Sequence, residues 1–176
     1  MPHFTKLAFA CAFSIFGLAA IAQDTVGALS DPEIAHIVGT ALKEEIATAD
    51  LASKTTTDPT IRVFAQATSR AASRAHRTVD DMLTTRDLQA TDDPLSQSLS
   101  GAAADQRGQL TRLTDAAFDK AYANNEMLYD QMVIGILDVT LSPSAKGGRL
   151  KAALETCRAF FKLQLAGTEA LARRLK

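Results

Sequence analysis

Tryptophan is absent from the 176 residues, cysteine occurs twice, and neither sign of charge dominates, with 19 Lys and Arg against 20 Asp and Glu. Each shortage excludes something. Opposite charges that are balanced and interspersed give no basic footprint for nucleic acid, and that class is set aside. Cys11 lies inside an apolar N-terminal run, which leaves Cys157 as the one cysteine of a processed chain. A lone cysteine excludes an internal disulfide and a cysteine-rich metal knuckle. "KGG" at 146–148 has neither the spacing nor the preceding strand of a phosphate loop, and no Ser, His and acid set can be assembled.

The N-terminal run itself has a definite layout. Lys6 is the only cation ahead of an apolar stretch from Leu7 to Ala22, which closes on the small-x-small step Ala20, Ile21, Ala22. That is the pattern of a secretory signal peptide, and it is shorter than the roughly 20 residues of a membrane span. Cleavage is expected near Gln23, with residues 1–22 as leader, 23–30 as a flexible N-terminus and 31–176 as one domain. The expected location is the periplasm or the extracellular space, with no membrane insertion after cleavage. Removing Lys6 leaves 18 basic side chains, so the near-neutral balance survives processing.

The remaining sequence reads as all-α. It is rich in alanine and poor in β-branched runs. Three Asp-Pro steps, at 31–32, 58–59 and 93–94, suit helix starts, with the carboxylate capping free N–H groups and proline in the first turn. Helices are predicted near 32–54, 59–87, 94–112, 115–141 and 148–174, with "SPSAKGG" as the last turn. Four long seams fit an antiparallel four-helix bundle, and the helix near 94–112 is a short extra element in the crossover. The second seam is Ile61, Ala65, Thr68, Ala72, Ala75, Val79 and Met82. The fourth is Phe118, Tyr122, Asn125, Tyr129, Met132, Ile136 and Val139. The last runs from Leu150 through Leu154, Cys157, Phe161, Gln164, Thr168 and Leu171 to Leu175.

Polar residues interrupt these seams. In the first helix Ile34, Val38, Ala41, Glu45, Ala49 and Ala52 share one face, with Glu45 near its middle. A carboxylate there protonates, finds a partner or binds a cation; the partners in reach by periodicity are Asn125, Tyr129 and Gln164. Glu126 and Asp130, one turn apart on the flank of the fourth stripe, count with Glu45, Asn125, Tyr129 and Gln164 as inward candidates and could share a cation, although a solvated edge is the commoner place for such a pair. None of these inward candidates is a histidine. His36 falls on the polar side of its helix, and His76 stands beside Ala72 and Val79. Cys157, between Leu154 and Phe161, is expected to be a buried free thiol.

"DPEIAHIVG" at 31–39, "FAQ" at 64–66, "AAFDKAY" at 116–122 followed by "NE", a tyrosine and "LSPSAK" resemble the exported domain of unknown function 4142 family. The resemblance spans roughly 30–174 and is most specific at "AAFDKAY". It implies a ferritin-like helical bundle in a bacterial envelope and no established activity. Members commonly carry an inward acid in the first helix and one histidine in each of the other three long helices, which looks like a metal-ligand set. The acid falls on Glu45, whereas the three histidine positions fall on Ala72, Asp130 and Gln164, with His76 the one imidazole near enough to substitute. The resemblance thus implies a degraded ancestral metal site and no committed cofactor. The leading expectation is a non-enzymatic bundle that binds a protein, an envelope component or a small ligand. The alternative is a metal-dependent oxidase or peroxide-handling protein in which Glu45, His76, Glu126 and Asp130 hold iron or manganese weakly.

Overall fold

The computed structural model describes residues 29–85 and 89–176. The signal-peptide reading, most of the 23–30 segment and the predicted helix end at 86–87 lie outside the described residues. Among the described residues all regular structure is helical: α1 (Asp31–Thr55), α2 (Pro59–Thr85), α3 (Pro94–Leu110), α4 (Asp115–Ile136) and α5 (Gly148–Arg174). No helix among them is long and apolar enough to cross a membrane.

Two of the three Asp-Pro steps start helices as their chemistry dictates. Asp58 accepts from the Thr60 and Ile61 N–H groups at 2.7 and 3.2 Å, and Asp93 from Leu95 and Ser96 at 2.8 and 3.0 Å. At α1 the cap is Ser30 instead, in a reciprocal box with Glu33. Asp31 reaches across the fold and accepts from the Lys146 and Gly147 N–H groups at 3.0 and 3.1 Å, tying the start of α1 to the start of α5.

The four long helices are set in register by a few polar contacts. The α1 and α2 pair is antiparallel: an added Cβ on Gly39 would lie 3.7 Å from His76 Nε2, and Ser69 donates to Asp50 at 2.7 Å. α4 and α5 are antiparallel through Asp138 with Arg158 and Asp130 with Thr168. Thr68 with Gln164 joins α2 to α5, while Tyr129 with the Ala41 carbonyl and Thr56 with Asp119 join α1 to α4. α3 lies against α1, where Ser100 and Arg107 hold Glu44.

The seams of α1 and α2 are buried along their whole length, and that of α5 is buried as far as Leu171. α4 departs from its predicted seam. Its buried side runs through Phe118, Tyr122, Glu126, Asp130 and Val133 and on to Leu137 and Leu141. Asn125, Met132 and Ile136 are half-buried, and Val139 is 78% exposed. An α-helix advances 3.6 residues per turn, so a strict heptad drifts off its face unless the helices supercoil. The predicted continuous helix to 141 is also interrupted: Leu137–Leu141 form a π turn, followed by one helical turn at Ser142–Ser144. Pro143 has no N–H, and its ring would collide with the Val139 carbonyl in a regular α-helix, so the wider turn accommodates it.

Candidate functional site

Glu45 is 1% exposed at the middle of the α1 stripe. The Gly39–His76 and Asp50–Ser69 contacts bracket it on α2, which places Ala72 at its level without a polar atom to offer. α4 approaches from the other side with Tyr122, Glu126 and Asp130, four residues apart and therefore on one face. Glu126 is 3% and Asp130 0% exposed, so the solvated edge favoured for them does not exist. The steps of four that carry the actual α4 stripe bring both carboxyls inward.

Desolvation dominates the electrostatics, since burial penalises the charged form of an acid. It pushes Glu45 up to about 7. It pushes Asp130 up to about 9, with the charge of Glu45 adding to the effect. Glu126 is raised well above the usual carboxylate range by burial, then by Glu45 and Asp130, with Arg107 of α3 acting against them. The two carboxyls act on each other: Glu126 lowers the affinity of Glu45 for its proton, and Glu45 raises that of Glu126. Burial and the neighbouring carboxyls keep Tyr122 and Tyr129 as neutral phenols.

Of the partners predicted for Glu45, Asn125 is half-buried off the inward face, and Tyr129 and Gln164 are engaged elsewhere. Tyr129 donates to the Ala41 carbonyl at 2.9 Å, a bond of about 1 kcal/mol. The Gln164 side-chain oxygen accepts from Thr68 at 2.8 Å. Thr168 is 3.3 Å from Asp130 Oδ2 and shares its hydroxyl with the Gln164 and Leu165 carbonyls. Among the described residues, four buried oxygens of this cluster have no hydrogen-bond partner: Glu45 Oε2, Glu126 Oε2, Asp130 Oδ1 and the Tyr122 hydroxyl. The Tyr122 ring is fixed by stacking on Phe118, and its hydroxyl feels all three carboxyls, Glu126 most.

The histidines stand apart. His76 pairs through Nδ1 with Asp80 at 2.8 Å, and its Nε2 faces Gly39, a level away from Glu45. The Glu-x-x-His spacing from Glu33 to His36 is engaged elsewhere, since Glu33 closes the Ser30 cap and His36 meets Asp92 at 3.4 Å. Among the described residues no three His, Cys, Asp or Glu side chains close on one point in a metal-holding arrangement. Periodicity found Glu45 and Gln164, named Glu126 and Asp130 as candidates but favoured a solvated edge for them, and did not single out Tyr122, Thr68 or Thr168 as polar members of the cluster. Their signal was present in the seams, where hydroxyls stand among apolar residues. Cys157 is buried and free, and burial pushes its thiol up to about 12.

A family model described as domain of unknown function (DUF4142) matches residues 17–171. The chain belongs to that family. No curated protein and no solved structure matches it.

Proposed function

We propose that this member of the family is a non-enzymatic, ferritin-like four-helix bundle of the bacterial envelope whose ancestral metal site is degraded, and that it acts by binding a protein, an envelope component or a small ligand. The observation that carries this reading is the loss of nitrogen donors at the core. Ala72 supplies none, Gln164 is satisfied by Thr68, and His76 is turned to Asp80. What remains is a cluster of oxygen donors that burial keeps largely protonated at neutral pH. Such a set lacks the imidazoles that suit iron, zinc and copper. The antiparallel pairings of α1, α2, α4 and α5 agree with the ferritin-like arrangement.

The second reading, an oxidase or peroxide-handling protein with iron or manganese held weakly, draws on the same unpartnered oxygens of Glu45, Glu126 and Asp130. Metal analysis of protein purified from its native compartment, combined with oxygen and peroxide consumption assays, separates the two. The proposal expects substoichiometric iron and manganese and no turnover. Stoichiometric iron or manganese with sustained consumption of either oxidant refutes it.

A further inference from the structure

We propose that α3 is a strap closed over the seam between α1 and α4, with Glu44 and Arg107 as its latch, and that its opening is the route by which water and solutes reach Glu45 and Glu126. The inference concerns access to the buried acids and stands apart from what binds there. The apolar core is divided in two. One part holds Leu42 of α1, Ala72 of α2, Val133 of α4 and Phe161 of α5, and the other holds Ala52, Ala65, Tyr122 and Leu171 of the same four helices. Between the two parts each of these helices contributes a buried polar side chain: Glu45, Thr68, Glu126 and Gln164. A polar layer therefore crosses the bundle.

α3 runs past this layer. Its Leu99 and Ala103 belong to the first part of the core and its Leu110 to the second, and Arg107 lies between them in the chain. Arg107 is bound to Glu44, the residue next to Glu45, and Ser100 donates to the same carboxylate at 2.9 Å. α3 touches α4 as well as α1, and the charge of Arg107 is felt at Glu126. The helix thus lies on the α1–α4 side of the bundle at the level of the acids. It is also lightly held. α3 buries Ser96, Leu99, Ala103 and Leu110, whereas each of the other four helices buries eight residues or more. An element with few buried apolar contacts opens locally at a cost below that of global unfolding. The two contacts to Glu44 carry much of the hold, since a hydrogen bond to a charged group is worth more than a neutral one.

The experiment compares the full processed chain with Arg107→Gln under native conditions at neutral pH. Amide hydrogen exchange read by mass spectrometry follows the opening of residues 94–110. A carbodiimide, which adds to protonated carboxyl groups, reports access to the acids, with Glu45 and Glu126 located by peptide mapping; burial favours the protonated form of Glu126. A bulky thiol reagent at Cys157, buried in the first part of the core, reports global unfolding. The expected result is that α3 exchanges ahead of the other helices. Arg107→Gln raises that exchange roughly tenfold, the effect on an opening equilibrium of losing one charge-assisted hydrogen bond. Carbodiimide addition to Glu45 and Glu126 rises with it while Cys157 stays unlabelled. Ser100→Ala acts in the same direction more weakly, and carries the comparison if Arg107→Gln does not fold. The proposal is overturned if α3 exchanges no faster than α2 and α5, if the opened variant shows no added labelling of the two acids, or if the acids are labelled only in step with Cys157.

Discussion

Glu45 of α1 and Glu126 of α4 lie together in the core, 1% and 3% exposed, and each acts on the ionisation of the other. Among the described residues neither is in a salt bridge. The pair titrates as a unit, because an interaction of this strength makes each proton's affinity a property of both groups. Infrared spectra at neutral pH should show a protonated-carboxyl C=O band in the native protein. The band should weaken in Glu126→Gln and disappear on unfolding at the same pH. Its absence from the folded protein would mean that both carboxyls are ionised.

Cys157 should be chemically silent. It is 1% exposed in the α5 seam, and its thiol is held far from ionisation at neutral pH by burial. The thiolate is the reactive form, so a bulky thiol reagent should label the native protein only at the rate of global unfolding. Rapid labelling without denaturant contradicts this placement.

Two glycines in the helices should respond oppositely to an added methyl. Gly101 of α3 has open space where a Cβ would stand. Gly101→Ala should therefore stabilise the protein by about 0.5–1 kcal/mol through helix propensity. At Gly167 of α5 a Cβ would come within 2.4 Å of Phe64 Cε2 on α2. Gly167→Ala should lose that gain and cost about 1 kcal/mol or more through overpacking. Denaturant midpoints of the two variants measure the difference.

The processed N-terminus is expected near Gln23, where the small-x-small step gives way to the polar "QDT". Intact mass of exported protein tests it. A chain retaining residues 1–22 refutes cleavage.

Much of the helical layout was legible because its signals are local. Asp58 and Asp93 cap the helices their Asp-Pro steps announce, and the α1, α2 and α5 seams repeat in step with their buried faces. The cap of α1 was misread because Asp31 and the adjacent Ser30 both suit the position, and the competing use of Asp31, binding the turn at Lys146 and Gly147, is 115 residues away in sequence. The α4 face was misread for a different reason. Asn125 and Glu126 differ by 100° around the helix, and which of them points inward is set by the packing of α1 and α5 against α4. The π turn at Leu137–Leu141 lay beyond any periodicity argument. Glu45 was found because one acid stood alone among apolar residues, whereas Glu126 and Asp130, with polar neighbours on their own helix, gave no such contrast.

The central claim, that the core holds a desolvated acid cluster in place of a working transition-metal site, is tested most directly by the pH dependence of melting for the chelator-treated wild type and Glu45→Gln. Folded pKa values raised from 4.5 to about 7 at Glu45 and from 3.8 to about 9 at Asp130 mean that the folded state holds protons the unfolded state releases. Their contribution to stability is fully present below the unfolded values and is lost as pH rises through about 7 and then about 9. The wild type should therefore melt at progressively lower temperature from mildly acidic to alkaline pH. Glu45→Gln should lose the part of that slope that lies between 4.5 and about 7 and be as stable as the wild type or more so at pH 7, by about 1 kcal/mol, since removing a poorly paired buried charge often stabilises. A wild type that gains stability as pH rises across this range, or a Glu45→Gln variant clearly less stable than wild type at pH 7 in chelator, would contradict the account.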